Sequence, residues 1–213
     1  MVLLAWLACS PAVMAEAPDT PRSPAPGILL VADEGLRDPG FARSVILLTH
    51  YSLSDGAFGL ILNQPTGLQV RDILADPDAA PGYGGRLFRG GPVSPQGIWV
   101  LIRSQTPHPH ATQVLDDIQL TTSRDALRSA LDQGNAEDVR VFAGYAGWAA
   151  GQLERELQRG DWHLAEANSG QVLAPDTPDL WRQLRERARQ LWVQRPNTGQ
   201  ERPIHGTIDP QLT

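Results

Sequence analysis

Short apolar runs separated by turn-forming residues recur along this chain and predict a strand-rich domain. Gly27-Ile28-Leu29-Leu30-Val31-Ala32 opens the series, and Ser44–Thr49 (SVILLT) and Phe58–Leu62 (FGLIL) follow. Between the last two, Ser54-Asp55-Gly56 has hairpin chemistry. Asp38-Pro39-Gly40 predicts a turn, and Asn63-Gln64-Pro65 stops the third run. Arg86–Arg89 and Gly97–Arg103 (GIWVLIR) read as two strands around Gly90-Gly91-Pro92. Ile118-Gln119-Leu120 and Val139–Ala143 (VRVFA) complete the predicted strands. Val70–Leu74 predicts a helical turn or two, Asp76–Gly85 a Pro/Gly loop, and Gln105–Thr112 a loop stiffened by Pro107 and Pro109.

Helical spacing occurs in three places. Thr122-Ser123 starts a helix running to about Leu131, with Thr122 and Asp125 at capping-box spacing. A strand ending at Ala143 passes through a Gly-rich turn into a second helix, which ends near Arg159 with Gly160 as its cap. The third opens at Asp176-Thr177-Pro178, and Leu180, Trp181, Leu184, Ala188, Leu191 and Trp192 make one apolar stripe. Helices do not alternate regularly with strands, so the pattern predicts an α+β domain with mostly antiparallel pairing over residues 27–192.

The flanks differ in character. Residues 1–15 read as a secretory signal peptide with cleavage after Ala15 or Ala17, although no Lys or Arg precedes the apolar stretch. This predicts a periplasmic or otherwise exported protein. Translation from Met14 would instead give a cytoplasmic one, and Trp6-Leu7-Ala8-Cys9 resembles a lipoprotein box. Residues 16–26 predict a flexible lead and 193–213 a loose tail.

Charge and composition narrow the chemistry. The net charge is −6, which gives a nucleic-acid partner no electrostatic help, and none is expected. Every cation is Arg, excluding Schiff-base lysine chemistry and a P-loop. The single Cys excludes an intrachain disulfide and a thiolate metal cluster. No motif calls for a cofactor.

Five blocks, in order, resemble the YqgE/AlgH family. Asp38-Pro39, Phe41 and Arg43-Ser44 are similar to its DPxFxRS segment, and Phe58 through Pro65 to its GLVIN(R/K)P segment. Gly90-Gly91-Pro92-Val93 resembles its GGPV, and Leu120-Thr121-Thr122-Ser123 its LTTS. Gly144-Tyr145-Ala146-Gly147-Trp148 with Gly151-Gln152-Leu153-Glu154 resembles its GYAGWxxGQLE. The resemblance implies antiparallel strands folded into a barrel-like core with flanking helices. It implies a proposed regulator and supplies no catalytic residue. Asp33-Glu34 stands where members often have Met-Pro, and Gln96-Gly97-Ile98-Trp99 replaces an Arg-Gly-Phe-Val-like stretch. Gly160-Asp161-Trp162-His163 resembles members that carry export signals.

Several constellations are candidates for chemistry. The Gly144–Gly151 stretch, with Tyr145, Gly147 and Trp148, is either an anion or ligand site at a helix N-terminus or a place where small residues let two backbones touch. Asn63, Gln64, Gly90 and Gly91 end strands and face a shared ligand cleft or only form turns. Ser123 is a hydrolase nucleophile or a helix cap. His108 and His110, with His50, Asp116 and Asp117, are a metal set or a solvated loop. Arg182, Arg185, Arg187 and Arg189 give the last helix a basic face for a membrane surface or a protein partner, or simply for water. The expected function is a non-catalytic binding or regulatory protein; a hydrolase using Ser123 and a cytosolic transcription-associated regulator are the alternatives.

Overall fold

The computed structural model describes residues 23–73, 84–132, 136–174 and 179–194. The predicted signal peptide with Cys9, most of the lead, most of the Asp76–Gly85 loop, the Asp176–Pro178 helix opening and the tail from 195 lie outside the described residues. So do the side chains of Arg189, Leu191 and Trp192.

Ten strands are joined in one sheet: β1 (Ile28–Ala32), β2 (Val45–Ser52), β3 (Gly56–Ile61), β4 (Pro65–Gln69), β5 (Arg86–Arg89), β6 (Val93–Arg103), β7 (Ala111–Leu115), β8 (Ile118–Thr121), β9 (Val139–Trp148) and β10 (Trp162–Glu166). The helices are α1 (Arg124–Asp132), α2 (Gln152–Arg159), α3 (Ser169–Leu173) and α4 (Leu180–Gln194). Strand order is β10-β1-β2-β3-β9-β6-β8-β7, with β5 attached to β9 and β4 to β5, and the sheet curls into a half-barrel. Pairing is antiparallel except between β5 and β9. The expected α+β architecture with a mostly antiparallel, barrel-like sheet is what the chain adopts.

Burial on both faces explains why the runs are continuously apolar rather than alternating. Leu29, Val31, Leu47, Leu60, Leu101 and Phe142 fill the inner face together with Val172, Leu173, Leu180 and Leu184 from α3 and α4. Outside, Val100, Ile102, Val139 and Val141 pack under Ala126, Leu127 and Ala130 of α1. Leu30, Ile46, Ile61, Ala146 and Trp148 pack under Leu153 of α2. Arg140 is buried in the inner core. It donates to the Val172 carbonyl (2.6 Å) and the Leu62 carbonyl, with its guanidinium 3.9 Å from the Phe88 ring centroid. Facing carbonyls and ring faces offset the desolvation of that charge.

Three local expectations are corrected. The Gly144–Trp148 segment is not a turn: β9 runs on through it. A left-handed Gly144 (φ +69°) bends the strand there, so one edge pairs with β5 up to Ala143 and with β3 from Ala146 to Trp148. Ser123 rather than Thr122 caps α1, its Oγ accepting the Ala126 N–H at 3.2 Å. The Gln105–Thr112 loop ends sooner, because β7 begins at Ala111; β4, β10 and α3 also lie where no element was expected. The predicted helix end holds: Gly160 is left-handed (φ +82°), and its N–H reaches the last carbonyls of α2.

Candidate functional site

The glycines of the two signature blocks meet each other. A Cβ on Gly90 would lie 2.2 Å from the Gly144 carbonyl oxygen, and one on Gly91 2.1 Å from the Tyr145 carbonyl carbon. A Cβ on Gly144 would lie 2.6 Å from the Gly91 oxygen. No side chain fits where the β5–β6 connection crosses the bend in β9. At Gly90, Gly91 and Gly144 the absent side chains permit this close backbone approach.

The polar groups beside them are engaged. Asn63 Oδ1 accepts the Val45 N–H and its Nδ2 donates to the Arg43 carbonyl, both at 2.8 Å. Gln64 Oε1 accepts from Arg89 Nε at 2.7 Å and from Nη2, which also donates to the Gly40 carbonyl at 2.9 Å. Both amides thus pin the segment between β1 and β2. Trp148 is buried, and its indole N–H donates to Glu156 Oε2 at 2.7 Å. The Trp162 indole donates to the same oxygen at 2.8 Å. Gln152 Nε2 donates to Glu156 Oε1 at 2.9 Å, and Phe41 stacks on Trp148 at 6.4 Å. Nearby, Tyr51 donates to Glu154 at 2.7 Å; burial, then that carboxylate, pushes its hydroxyl above the ordinary phenol range.

Tyr145 and Gly147 sit differently. Tyr145 is half-buried and meets Phe58 (5.8 Å) and Trp99 (5.2 Å) edge to face. Phe58 contacts Trp99 at 5.8 Å and stacks on the exposed His50 at 5.2 Å. Gly147 lies opposite Phe58 in the β3–β9 ladder, and its missing Cβ would be 3.2 Å from the edge of the Tyr145 ring. Val93, 36% exposed, borders the group. Side chains from β2, β3, β9 and β6 thus build one partly open aromatic surface. Trp99 Nε1 is buried and has no hydrogen-bond partner among the described residues. Of this surface the sequence pointed only to Tyr145 and Gly147 as ligand residues. Phe58 and Trp99 read as ordinary strand residues, and His50 as a metal candidate; their one legible signal was an aromatic at the edge of an apolar run.

The remaining candidates separate. Ser123 is engaged as the α1 cap, and among the described residues no imidazole hydrogen-bonds it. The His108 N–H donates to Gln119 Oε1 at 2.9 Å, and the His110 carbonyl accepts from Thr121 at 3.1 Å. Asp117 accepts from Ser169 and lies 3.4 Å from Arg103. The described residues contain no group of three or more His, Cys, Asp or Glu placed to hold a metal. His50 belongs to the aromatic surface instead.

On α4, Leu180 and Leu184 are buried against the half-barrel, while Arg182 and Arg187 are exposed. Arg185 turns inward: its side chain is 14% exposed, 3.3 Å from Asp33 and 3.8 Å from Glu34. His163 Nε2 lies 2.8 Å from the same Asp33 oxygen. The His163 hydrogen bond, the Gly35 N–H and the Arg185 charge hold the Asp33 carboxyl below the ordinary carboxylate range.

A family model described as AlgH-like matches residues 29–191. A UPF0301 protein of Streptomyces coelicolor is 37% identical over 172 residues, which are 76% of this chain and 86% of that protein. A UPF0301 protein of Vibrio cholerae is 34% identical over 160 residues, covering 71% and 85%. The solution structure of the AlgH protein from Pseudomonas aeruginosa superposes with a TM-score of 0.64 at 25% identity, over 88% of this chain and 100% of that one. A crystal structure of a Corynebacterium diphtheriae protein gives 0.65 at 29% identity, covering 78% and 87%.

Proposed function

Starting from the fact that this chain belongs to the AlgH-like family, we propose that it is a non-catalytic binding protein, exported and regulatory in its effect. Its ligand is a partner or small molecule that presents an apolar or aromatic face. One observation supports this reading above the others: the half-open surface of His50, Phe58, Tyr145 and Trp99 beside the exposed Val93. Aromatic faces left partly uncovered by their own fold are what a binding surface needs. The hydroxyl and amides that looked most like chemistry are engaged in caps and loop anchors, which argues against a hydrolase built on Ser123. The exposed Arg182 and Arg187 are where a membrane-surface or protein contact by α4 is proposed, and such a contact should weaken with salt.

The test is Gly147→Arg. The atoms nearest the missing Cβ are side-chain ones, the Tyr145 ring edge at 3.2 Å and Val93 Cγ2 at 3.7 Å, so a side chain there extends over the aromatic surface. The variant is expected to melt within about 3 °C of wild type and to fail in rescuing the deletion strain. Full rescue by a normally folded variant would remove this surface from the function. Export is tested by the N-terminal mass of the native protein in fractionated cells; an uncleaved chain in the cytosol would overturn it.

A further inference from the structure

The loop between β1 and β2 is fastened unusually well for a surface segment. Asp38 accepts the Gly40 N–H at 2.7 Å, Gln64 and Arg89 hold the Gly40 carbonyl, and Asn63 holds the Arg43 carbonyl. Arg43 is nevertheless in the left-handed region (φ +57°), which costs a non-glycine residue on the order of 1 kcal/mol. The outcome of this fastening is the position of one guanidinium. It stands 5.8 Å over the Trp181 ring, and Arg43 pairs with no carboxylate among the described residues. The ring itself is fixed, because its N–H donates to the Ala32 carbonyl at 2.7 Å.

These groups border a cleft of about 440 Å³ lined by Glu34, Arg43, Trp181, Arg182, Arg185 and Glu186. Arg185 enters it with its fork directed by Asp33 and Glu34, and its Nε is buried without a hydrogen-bond partner among the described residues. Arg182 is drawn toward Asp179 at 2.7 Å. The walls thus carry one guanidinium without an acid partner, further guanidinium donors, an indole floor and two carboxylates. Guanidinium forks match planar carboxylates and phosphates. The two glutamates repel a polyanion and accept hydrogen bonds from hydroxyl or ammonium groups.

We propose that this cleft binds a small organic anion carrying a neighbouring hydroxyl or ammonium donor. Arg43 and Arg185 take the anionic group, Trp181 lies under the carbon skeleton, and Glu34 and Glu186 take the donor. The shared chemistry is one oxyanion beside one donor, whether the oxyanion is a carboxylate or a phosphate ester. This site is separate from the aromatic surface: β2 begins just after Arg43 and carries His50 near its other end.

Calorimetry with the full chain at low ionic strength tests it, using glycerate, glycerol 3-phosphate and glycerol as probes. Saturable binding of an anion, with none of glycerol, is the expected result, and the tighter anion identifies the acid group. Arg43→Asn keeps a residue that tolerates the left-handed backbone and should weaken binding roughly tenfold or more at an unchanged melting midpoint. The side-chain Nε–Hε signals of Arg43 and Arg185 in wild type should both move on titration, a readout independent of whether the variant folds. Absence of binding by both anions, equal binding of glycerol, equal affinity in Arg43→Asn, or unmoved arginine signals would each overturn the proposal. Loss of rescue by Gly147→Arg tests the aromatic surface alone and leaves this result untouched.

Discussion

Beyond its bend β9 serves two aromatic clusters, one on each face of the strand, and they are built in opposite ways. Trp148 and Trp162 are buried beside the half-buried Phe41, and the two indole N–H groups converge on one Glu156 oxygen at 2.7 and 2.8 Å. Tyr145, with Phe58 and Trp99, is half-buried; Phe58 stacks on an exposed histidine, and the Trp99 indole N–H has no partner among the described residues. Similar residue types therefore mean different things three positions apart. Where every polar atom is answered and the rings are covered, the aromatics hold the fold together. Where rings stay half open and a donor is unanswered, the surface is one on which a ligand would gain contacts.

The bend carries β9 from β5 to β3, where both clusters form, so removing it should have the largest effect. Gly144→Val forces a β-branched residue into φ +69° with its Cβ 2.6 Å from a backbone oxygen. We expect a loss of at least about 4 kcal/mol and no cooperative unfolding transition. A variant that melts near wild type would mean the bend is not needed. Glu156→Leu comes next. It strands the indole donors of Trp148 and Trp162, at a cost of about 2–4 kcal/mol for two part-buried groups. Denaturation should show that loss while ligand binding at the Tyr145 side survives; a change below about 0.5 kcal/mol would refute the account of this cluster.

Legibility followed the range of each interaction. β1, β2 and β3 were readable because Leu29–Ala32, Val45–Leu48 and Phe58–Leu62 are apolar without interruption, a consequence of burial on both faces. β7 was not, since Ala111–Leu115 has one buried side chain and borders a single partner. The continuation of β9 was hidden because glycine spacing that permits a backbone crossing is locally the same as glycine spacing that makes a turn. Tyr145 and Gly147 were picked out by their signature block, whereas Phe58 and Trp99 join them only through strand pairing. Asp33 and Glu34 were noticed only as a departure from the family pattern. The structure gives that departure a physical partner, Arg185 of α4, about 150 positions away along the chain.

That same contact offers the smallest and most selective probe of the comparison, because His163 directly follows Trp162 and ties the covered cluster to Asp33. The Asp33 carboxyl has a folded-state pKa below its ordinary value of 3.8, owing first to the His163 hydrogen bond and then to the Gly35 N–H and Arg185. A depressed carboxylate pKa contributes stability that is fully present above the unfolded value and is lost as pH falls through the folded one. The stability difference between wild type and Asp33→Asn should therefore shrink as pH drops from about 5 to below about 4. With Asp33 32% exposed, solvent screening keeps the carboxylate's share below about 1 kcal/mol. Urea denaturation of both proteins across that range measures the difference. The Trp162 side should loosen in acid while the Tyr145 side, with no carboxylate among its ring contacts, stays put; a difference that does not change with pH would show that Asp33 is not what anchors the covered cluster.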